Sequence, residues 1–220
     1  MASDAGITLT SVCAHANLLD PESPDLYSTN EVVKAIKLAH FMDIKHVITT
    51  EGDPKTEFGE KLSLSEKIFL TIEKFYTPVL WARDLGIKLL IEPHGKVTDN
   101  IDAMEEVLDR LGNKDNVGVC LDTGNSWLGG GDPIEYVKRF GNRIEHVHWK
   151  DLGADMVAQR GKMFGCGMAP IGIGEGIIDI KGVVKALKDI GYDGHTTLEV
   201  FGEGNVIKSV KALKEMIDTV

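Results

Sequence analysis

The run Leu85-Gly-Ile-Lys-Leu-Leu-Ile-Glu-Pro-His-Gly95 contains a β-strand with almost no alternation between apolar and polar side chains. Parallel strands have this pattern because helices cover both faces of their sheet. Gly86 directly precedes the strand and is suited to end a helix that runs up to it. The stretch therefore predicts an α/β protein in which a helix leads straight into a buried parallel strand.

Short apolar runs and amphipathic helical stretches alternate along the whole chain. Strands are predicted at residues 6–14, 45–50, 87–92, 117–122, 144–150 and 196–200, with a weak and irregular one at 169–173. Helices are predicted at residues 30–42, 65–85, 99–111, 133–140, 181–190 and 206–218. This alternation favours a parallel sheet with right-handed crossovers. Because no linker interrupts it, we expect one domain over residues 1–220.

The composition excludes several classes of partner. The 220 residues contain 24 Lys and Arg against 34 Asp and Glu, and a net charge of −10 opposes binding to a nucleic-acid backbone. No apolar run approaches the ~20 residues of a membrane span, and the N-terminus lacks the pattern of a signal peptide. The three cysteines, Cys13, Cys120 and Cys166, are odd in number and far apart, which excludes a disulfide framework or a CxxC metal site. We therefore expect a cytoplasmic protein with no membrane and no nucleic-acid partner.

Four predicted strands end on an ionisable side chain: Glu92, Asp122, His148 and Glu199. Burying such a group at the end of an apolar strand is costly unless it is paired or binds a metal. If the strands form a barrel, these ends converge, and three carboxylates would repel one another unless a divalent cation lay between them. One imidazole and three carboxylates suit Mn²⁺, Mg²⁺ or Co²⁺, with Zn²⁺ as a further alternative.

Five motifs follow one another in order. They are Glu92-Pro-His94, Leu121-Asp-Thr-Gly-Asn125, His146-Val-His-Trp-Lys-Asp151, Gly174-Glu-Gly176 followed by an apolar helix and Gly191-Tyr-Asp-Gly194, and Leu198-Glu-Val200. With this set the chain resembles the xylose isomerase-like TIM barrels. More narrowly, it is similar to the sugar phosphate isomerase/epimerase group, whose members include ketose 3-epimerases and inosose dehydratase.

The resemblance implies an α/β fold, a TIM (β/α)8-type barrel, which typically needs ~250 residues. Because only seven strands are visible in the sequence, we expect the barrel to lack its first βα unit. The resulting gap would expose two unpaired sheet edges, which tend to associate. We therefore expect the gap to be covered by the N-terminal segment or by a partner chain, and the protein to form a homo-oligomer.

The resemblance also implies a metal-dependent sugar isomerase or epimerase acting on a small carbohydrate, a keto-sugar or related polyol. One divalent ion, most simply Mn²⁺, would be held by Glu92, Asp122, His148 and Glu199. Glu92 and Glu199 would serve as the catalytic acid and base, and the reaction would pass through a metal-stabilised enediolate. His148 is preferred to His146 as the ligand because the family pattern His-x-x-Asp aligns on His148 and Asp151.

Five residues are predicted to contact the substrate: His15, His94, Asn125, Lys150 and Arg160. The two histidines either hydrogen-bond the substrate or support the residues that do. Lys150 either holds a substrate oxygen or pairs with Asp151. Arg160 follows the His148 strand, where sugar-processing relatives carry a substrate-binding arginine.

Three other functions were weighed against the isomerase or epimerase. A lyase of the inosose dehydratase type, or one that eliminates an aglycone from a 3-keto-glycoside, would use the same metal site. A non-catalytic subunit is a further alternative, although the four strand-end residues are intact. An AP endonuclease-like nuclease is disfavoured because that branch carries a histidine where Asn125 stands here, and because residues 152 to 176 include no histidine.

Overall fold

The computed structural model describes residues 3–22, 29–112, 115–167 and 170–220. Within them, one parallel sheet contains its strands in chain order: β1 (Ser11–Ala14), β2 (His46–Thr50), β3 (Lys88–Glu92), β4 (Val117–Asp122), β5 (Ile144–Trp149) and β6 (His195–Leu198). A doubly wound open sheet would reverse its strand order at a switch point. The sequential order instead curls the sheet into part of a barrel, which confirms the predicted TIM-type α/β architecture.

The described residues also form α1 (Thr29–Phe41), α2 (Glu57–Lys61), α3 (Leu64–Leu85), α4 (Ile101–Leu111), α5 (Thr123–Leu128), α6 (Pro133–Phe140), α7 (Ile180–Asp189) and α8 (Glu203–Thr219). Six of these helices match the predicted ones. The two short helices, α2 and α5, were not predicted because one or two turns leave too few residues for an apolar period. Every described helix is either too short or too polar to cross a bilayer.

Local sequence signals fix the helix ends. Ser63 begins α3 with a capping box, in which its side chain accepts from the amide of Glu66 and the Glu66 side chain accepts from the amide of Ser63. The same helix ends at Gly86, whose φ of 65° places it in the left-handed region that glycine adopts most easily. Asn100 caps α4 by accepting from the amide of Ala103. Gly86 therefore ends α3 and leads the chain into β3, as the sequence predicts.

The inner face of the curled sheet is built in layers. Ile48, Leu90 and Cys120 form a small buried cluster, separate from the larger core between the strands and the helices. Because side chains alternate across a strand, the residues two positions further along β3 and β4 share this inner face. Those residues are Glu92 and Asp122, at the carboxyl ends of their strands. The sheet therefore carries an apolar layer inside and an ionisable layer at its rim.

The weak strand predicted at residues 169–173 is replaced by a loop. Residue 169 lies outside the described part of the chain, and Ile171 makes a single antiparallel bridge with Asp151. The amide of Ile173 donates to Oγ of Ser209 rather than to a neighbouring strand, and the buried Asp151 carboxylate accepts from the amides of Gly174, Gly176 and Ile178 in the loop that follows. In the described residues the sheet has six strands rather than seven, so it is two short of an eight-stranded barrel.

Candidate metal centre and active site

Four ionisable side chains meet at the carboxyl ends of β3 to β6. Nδ1 of His148 lies 3.0 Å from Oε1 of Glu199, 3.5 Å from Oε2 of Glu92 and 3.9 Å from Oδ2 of Asp122. The strand register accounts for this meeting, because Asp122 pairs with His148 across β4 and β5, and Glu199 directly follows β6. The structure thus brings together the four residues that the sequence singles out. They are called the cluster below.

Three members of the cluster are buried, and the fourth is partly exposed to solvent. Asp122, Glu92 and His148 have side-chain exposures of 0%, 2% and 5%, whereas Glu199 is 36% exposed. Glu199 is therefore the member that a molecule arriving from solvent would meet first.

The donor atoms of the cluster fit a cation. Among the described residues, Nδ1 of His148 and Oε2 of Glu92 are buried and form no hydrogen bond of acceptable geometry. Ligand atoms of Asp122, His148 and Glu199 lie within 4.8 Å of one another. A buried imidazole nitrogen that faces carboxylate oxygens without bonding to them suits a divalent ion better than it suits a closed hydrogen-bond network. The group could therefore hold a metal ion.

Lys150 places a positive charge inside the cluster. Its Nζ donates to Oδ2 of Asp122 at 2.5 Å and lies 2.7 Å from Oε2 of Glu199. Burial by itself would lower the pKa of Lys150, but Asp122 and Glu92 raise it well above its usual value. Of the two roles expected for Lys150, pairing with Asp151 is not seen, because the Asp151 carboxylate holds loop amides instead.

The charges of the cluster shift the pKa values of its members. Burial by itself would raise the pKa of Glu199, but contact with His148 and the charge of Lys150 lower it to about 2. The same two neighbours outweigh burial at Glu92 and hold its pKa well below the usual range. Burial raises the pKa of Asp122, against the effect of Lys150. At neutral pH, Glu92 and Glu199 are therefore ionised.

Asn125 orients Glu92. Its Nδ2 donates to Oε1 of Glu92 at 3.0 Å, and its Oδ1 accepts from both the amide and the thiol of Cys166 at 3.0 Å. The amide of Asn125 donates to Oδ1 of Asp122, which caps α5. Asn125 therefore lies at the site, as expected for a substrate-binding residue. In this structure, however, its side chain is used to hold Glu92.

The two predicted pocket histidines, His15 and His94, lie beside each other. Their ring centroids are 6.0 Å apart in an edge-to-face arrangement. Nδ1 of His94 is buried without a hydrogen bond among the described residues, and burial lowers the pKa of this imidazole. Gly165 covers the ring so closely that a Cβ there would lie 2.1 Å from Nε2. The loop after β5 therefore packs directly onto His94.

Arg160 is held away from the cluster. Its Nε donates to the carbonyl of Trp127 at 3.1 Å and its Nη2 to the carbonyl of Gly131 at 2.8 Å. The guanidinium also lies over the Trp127 ring, 4.9 Å from its centroid. These contacts cap carbonyls at the end of α5. Among the predicted site residues, Arg160 is thus the one whose side chain the structure uses elsewhere.

Two residues at the site were not found from the sequence. Cys120 lies two positions before Asp122 on the inner face, and its Sγ joins Glu92 and His148 in a second group of closely spaced ligand atoms. Burial raises the pKa of the Cys120 thiol to about 12. Period-two alternation from Asp122 would have identified it. Glu51 directly follows β2. A search for ionisable residues at strand ends, which identified Glu92, would also have identified Glu51.

Comparison with known proteins agrees with this architecture. The family described as "Xylose isomerase-like TIM barrel" matches residues 1–219. An inosose dehydratase from Lacticaseibacillus casei is 29% identical over 124 residues, which make up 54% of this chain and 42% of that protein. The chain thus spans about half the length of the curated relatives it matches.

Solved structures of similar fold include a D-tagatose 3-epimerase-like protein, with a TM-score of 0.75 and 24% identity over 99% of this chain and 79% of that one. Another is the IolI protein, whose structure contains a zinc atom, with a TM-score of 0.68 and 18% identity over 95% of this chain and 74% of that one. These likenesses show the fold. The match over residues 1–219 shows that the chain belongs to the xylose isomerase-like TIM-barrel family.

Proposed function

We propose that this protein is a divalent-metal-dependent enzyme that isomerises or epimerises a keto-sugar or related polyol. The observation that carries the proposal is the convergence of Glu92 and Glu199 on Nδ1 of His148, at 3.5 and 3.0 Å. Two carboxylates at one centre provide the acid and the base that proton transfer next to a carbonyl requires. The names of the epimerase-like and dehydratase relatives point to the same class of substrate.

Glu92, Asp122, His148 and Glu199 would hold the ion. When bound, a divalent ion supplies a positive charge that polarises the substrate carbonyl and acidifies the adjacent C–H bond. Mn²⁺ suits one imidazole and three carboxylates, and Zn²⁺ has the additional support of the zinc-containing structure of similar fold.

The side chains divide the proton transfer between them. Glu199 is the exposed carboxylate, so it would take the proton from the carbon that bears a hydroxyl. Return of that proton to the neighbouring carbon gives the isomer. Delivery of a proton to the original carbon from the opposite face, by Glu92, gives the epimer. Asn125 fixes one oxygen of Glu92 and leaves the other directed into the cluster.

A lyase is the second candidate. The L. casei relative is named as an inosose dehydratase, and Lys150 lies 2.7 Å from Oε2 of Glu199. In that reaction Glu199 removes the proton next to the carbonyl, and the C–O bond of the β-hydroxyl breaks as a C=C bond forms. Lys150 would donate the proton with which the hydroxyl leaves as water.

The decisive experiment incubates the protein and Mn²⁺ with ketohexoses, inososes and 3-keto-glycosides in D₂O. An isomerase or epimerase incorporates solvent deuterium into a product of unchanged formula, whereas a lyase releases water or an aglycone. Products are identified by NMR and mass spectrometry. Metal binding without exchange or release on any substrate of the panel would favour a non-catalytic subunit instead.

Matched glutamine variants test the roles of the carboxylates. Glu199→Gln and Glu92→Gln should each slow deuterium incorporation by about 100-fold or more, because each removes an acid or base of the reaction. Glu203→Gln changes an exposed glutamate in the first turn of α8 and should leave the rate within about 2-fold. Equal rates in Glu199→Gln and Glu203→Gln would remove Glu199 from catalysis.

A further inference from the structure

Glu51 is a buried carboxylate that no proton transfer described above uses. It directly follows β2 and is completely shielded from solvent. Its Oε1 accepts from the amide of Val97 at 2.8 Å, and its Oε2 accepts from the amide of Thr98 at 2.7 Å. Both oxygens therefore bind the same turn, the one that follows Glu92 at the end of β3.

The turn that Glu51 holds carries His94. The amide of Gly52 donates to the carbonyl of His94 at 3.0 Å, and the amide of His94 donates to Oγ1 of Thr98 at 2.9 Å. Glu51 thus binds the turn at Thr98, and Gly52 binds it at His94. The position of the His94 backbone is set from the end of β2 rather than by the β3 strand alone.

The turn lies so close to Glu51 that only glycine fits at its start. A Cβ at Gly95 would lie 2.6 Å from the carboxyl carbon of Glu51, and Gly95 has a φ of 150°. On the far side of the turn, Oδ2 of Asp99 accepts from the amide of Gly95 at 3.1 Å. The hydroxyl of Tyr136, on α6, donates to the carbonyl of Thr98 at 2.9 Å. The carboxyl groups of Glu51 and Asp99 and the hydroxyl of Tyr136 therefore all hold this one turn.

We propose that Glu51 is a positioning residue of the active site, which fixes the turn through Val97 and Thr98 and thereby sets the place of the His94 imidazole beside Glu92. The proposal rests on the proposed function, together with the expectation that His94 lies in the substrate pocket beside Glu92. The two amide hydrogen bonds reach the two oxygens of one fully buried carboxyl group, so the turn has little freedom while both are made. Glu51 acts through His94 and touches no reacting group.

The test compares Glu51→Gln with a matched control, Asp20→Asn. A glutamine at 51 accepts at one amide and turns an N–H toward the other, so one of the two bonds is lost. Asp20 is also a buried carboxylate that accepts from two successive amides, those of Lys55 at 2.7 Å and Thr56 at 2.9 Å. The segment it holds contains none of the predicted site residues. The two variants therefore remove the same kind of bond at different places.

Four quantities are measured in each variant: amide hydrogen exchange, the ¹⁵N shifts of the His94 imidazole, the Kd for Mn²⁺ alone, and kcat with KM. In Glu51→Gln, exchange at Val97 and Thr98 should rise about 10-fold or more, and the His94 signals should move. The kcat should fall about 10-fold or more because a misplaced group slows the reaction, whereas the Kd for Mn²⁺ should stay within about 2-fold. In Asp20→Asn, exchange should rise at Lys55 and Thr56, with kcat and the His94 signals unchanged.

A second variant guards against misfolding of the first. Gly95→Ala leaves Glu51 in place but pushes a methyl group against it, and it should give the same pattern at His94 and in kcat. Unmoved His94 signals in Glu51→Gln and Gly95→Ala, or equal loss of kcat in Asp20→Asn, would overturn the proposal. The exchange and imidazole measurements need no turnover. A wild-type protein that is inactive on the whole panel would therefore refute the proposed function while the position of His94 still decides the role of Glu51.

Discussion

Nζ of Lys150 lies 2.5 Å from Oδ2 of Asp122, and both groups are buried. Three carboxylates surround the same imidazole, and Lys150 balances part of their charge from within the barrel. A lysine that contacts two of the cluster carboxylates occupies oxygens that a divalent cation would also use. Lys150 and a divalent ion would therefore compete for the same carboxylate oxygens.

Replacing Lys150 by methionine should make the fold depend on metal. Removing one partner of a buried ion pair typically costs about 3 kcal/mol or more, because the other charge is left uncompensated. We expect this loss in the presence of a chelator and its partial recovery with Mn²⁺, measured by denaturant unfolding. Lys185→Met, which removes an exposed pair with Asp189, should cost less than about 1 kcal/mol in both conditions. If Lys150→Met lost the same free energy of unfolding with and without Mn²⁺, competition between Lys150 and the ion would be contradicted.

His148 and His146 provide a matched pair for testing the metal ligand. Their rings are 5.2 Å apart on β5, but Nε2 of His146 contacts Oγ1 of Thr197 at 2.8 Å and lies one layer deeper. His148→Gln should weaken binding of Mn²⁺ and Zn²⁺ by at least about 100-fold, more than the loss of an outer-shell partner. His146→Gln should change it by less than about 10-fold. Calorimetric titration of dialysed protein measures both, and equal affinities in the two variants would argue against His148 as a ligand.

Arg160→Ala should affect stability and leave substrate binding unchanged. Its guanidinium donates to the carbonyls of Trp127 and Gly131 and lies over the Trp127 ring, so losing these contacts should cost about 1 kcal/mol. Arg110→Ala removes an exposed pair with Glu106 on α4 and should cost about half of that or less. Urea unfolding measures the stability of each variant, and KM for the active substrate measures its substrate binding. A large rise in KM for Arg160→Ala would instead indicate that Arg160 contacts the substrate.

The ionisation of Glu51 should make the free energy of unfolding depend on pH. Burial raises the pKa of Glu51 to about 7 from 4.5, with the amides of Val97 and Thr98 lowering it and the charge of Asp53 raising it. An acid whose pKa is higher in the folded state stabilises the fold most at low pH and loses this contribution as pH rises through 7. Between pH 5 and 8 the wild type should lose about 2 kcal/mol relative to Glu51→Gln, which stays neutral.

Denaturant unfolding of the two proteins at both pH values checks this expectation. The nearby Asp99 titrates in the wild type and in the variant, so taking their difference largely isolates Glu51. A constant difference between pH 5 and 8 would show that Glu51 keeps one ionisation state over this range.

Much of the fold was predictable because its signals are local. The caps at Ser63, Gly86 and Asn100 depend on a few neighbouring residues, and the helices begin and end where those caps stand. The one strand that failed, at residues 169–173, lies next to Asp151. The amide of Ile173 donates to Ser209, and the Asp151 carboxylate binds the amides that follow it; these partners are more than twenty residues distant in sequence, and no local pattern indicates them.

The sequence by itself determined that apolar strands alternate with helices and that Glu92, Asp122, His148 and Glu199 close their strands. Parallel register then brings them together, because strand ends on one edge must meet. Only the tertiary structure decided how the long side chains are used. Lys150 turns to Asp122 rather than Asp151, Arg160 caps α5, and Asn125 holds Glu92. A flexible side chain chooses among partners that are distant in sequence, and that choice depends on burial and charge around it, which no local pattern records.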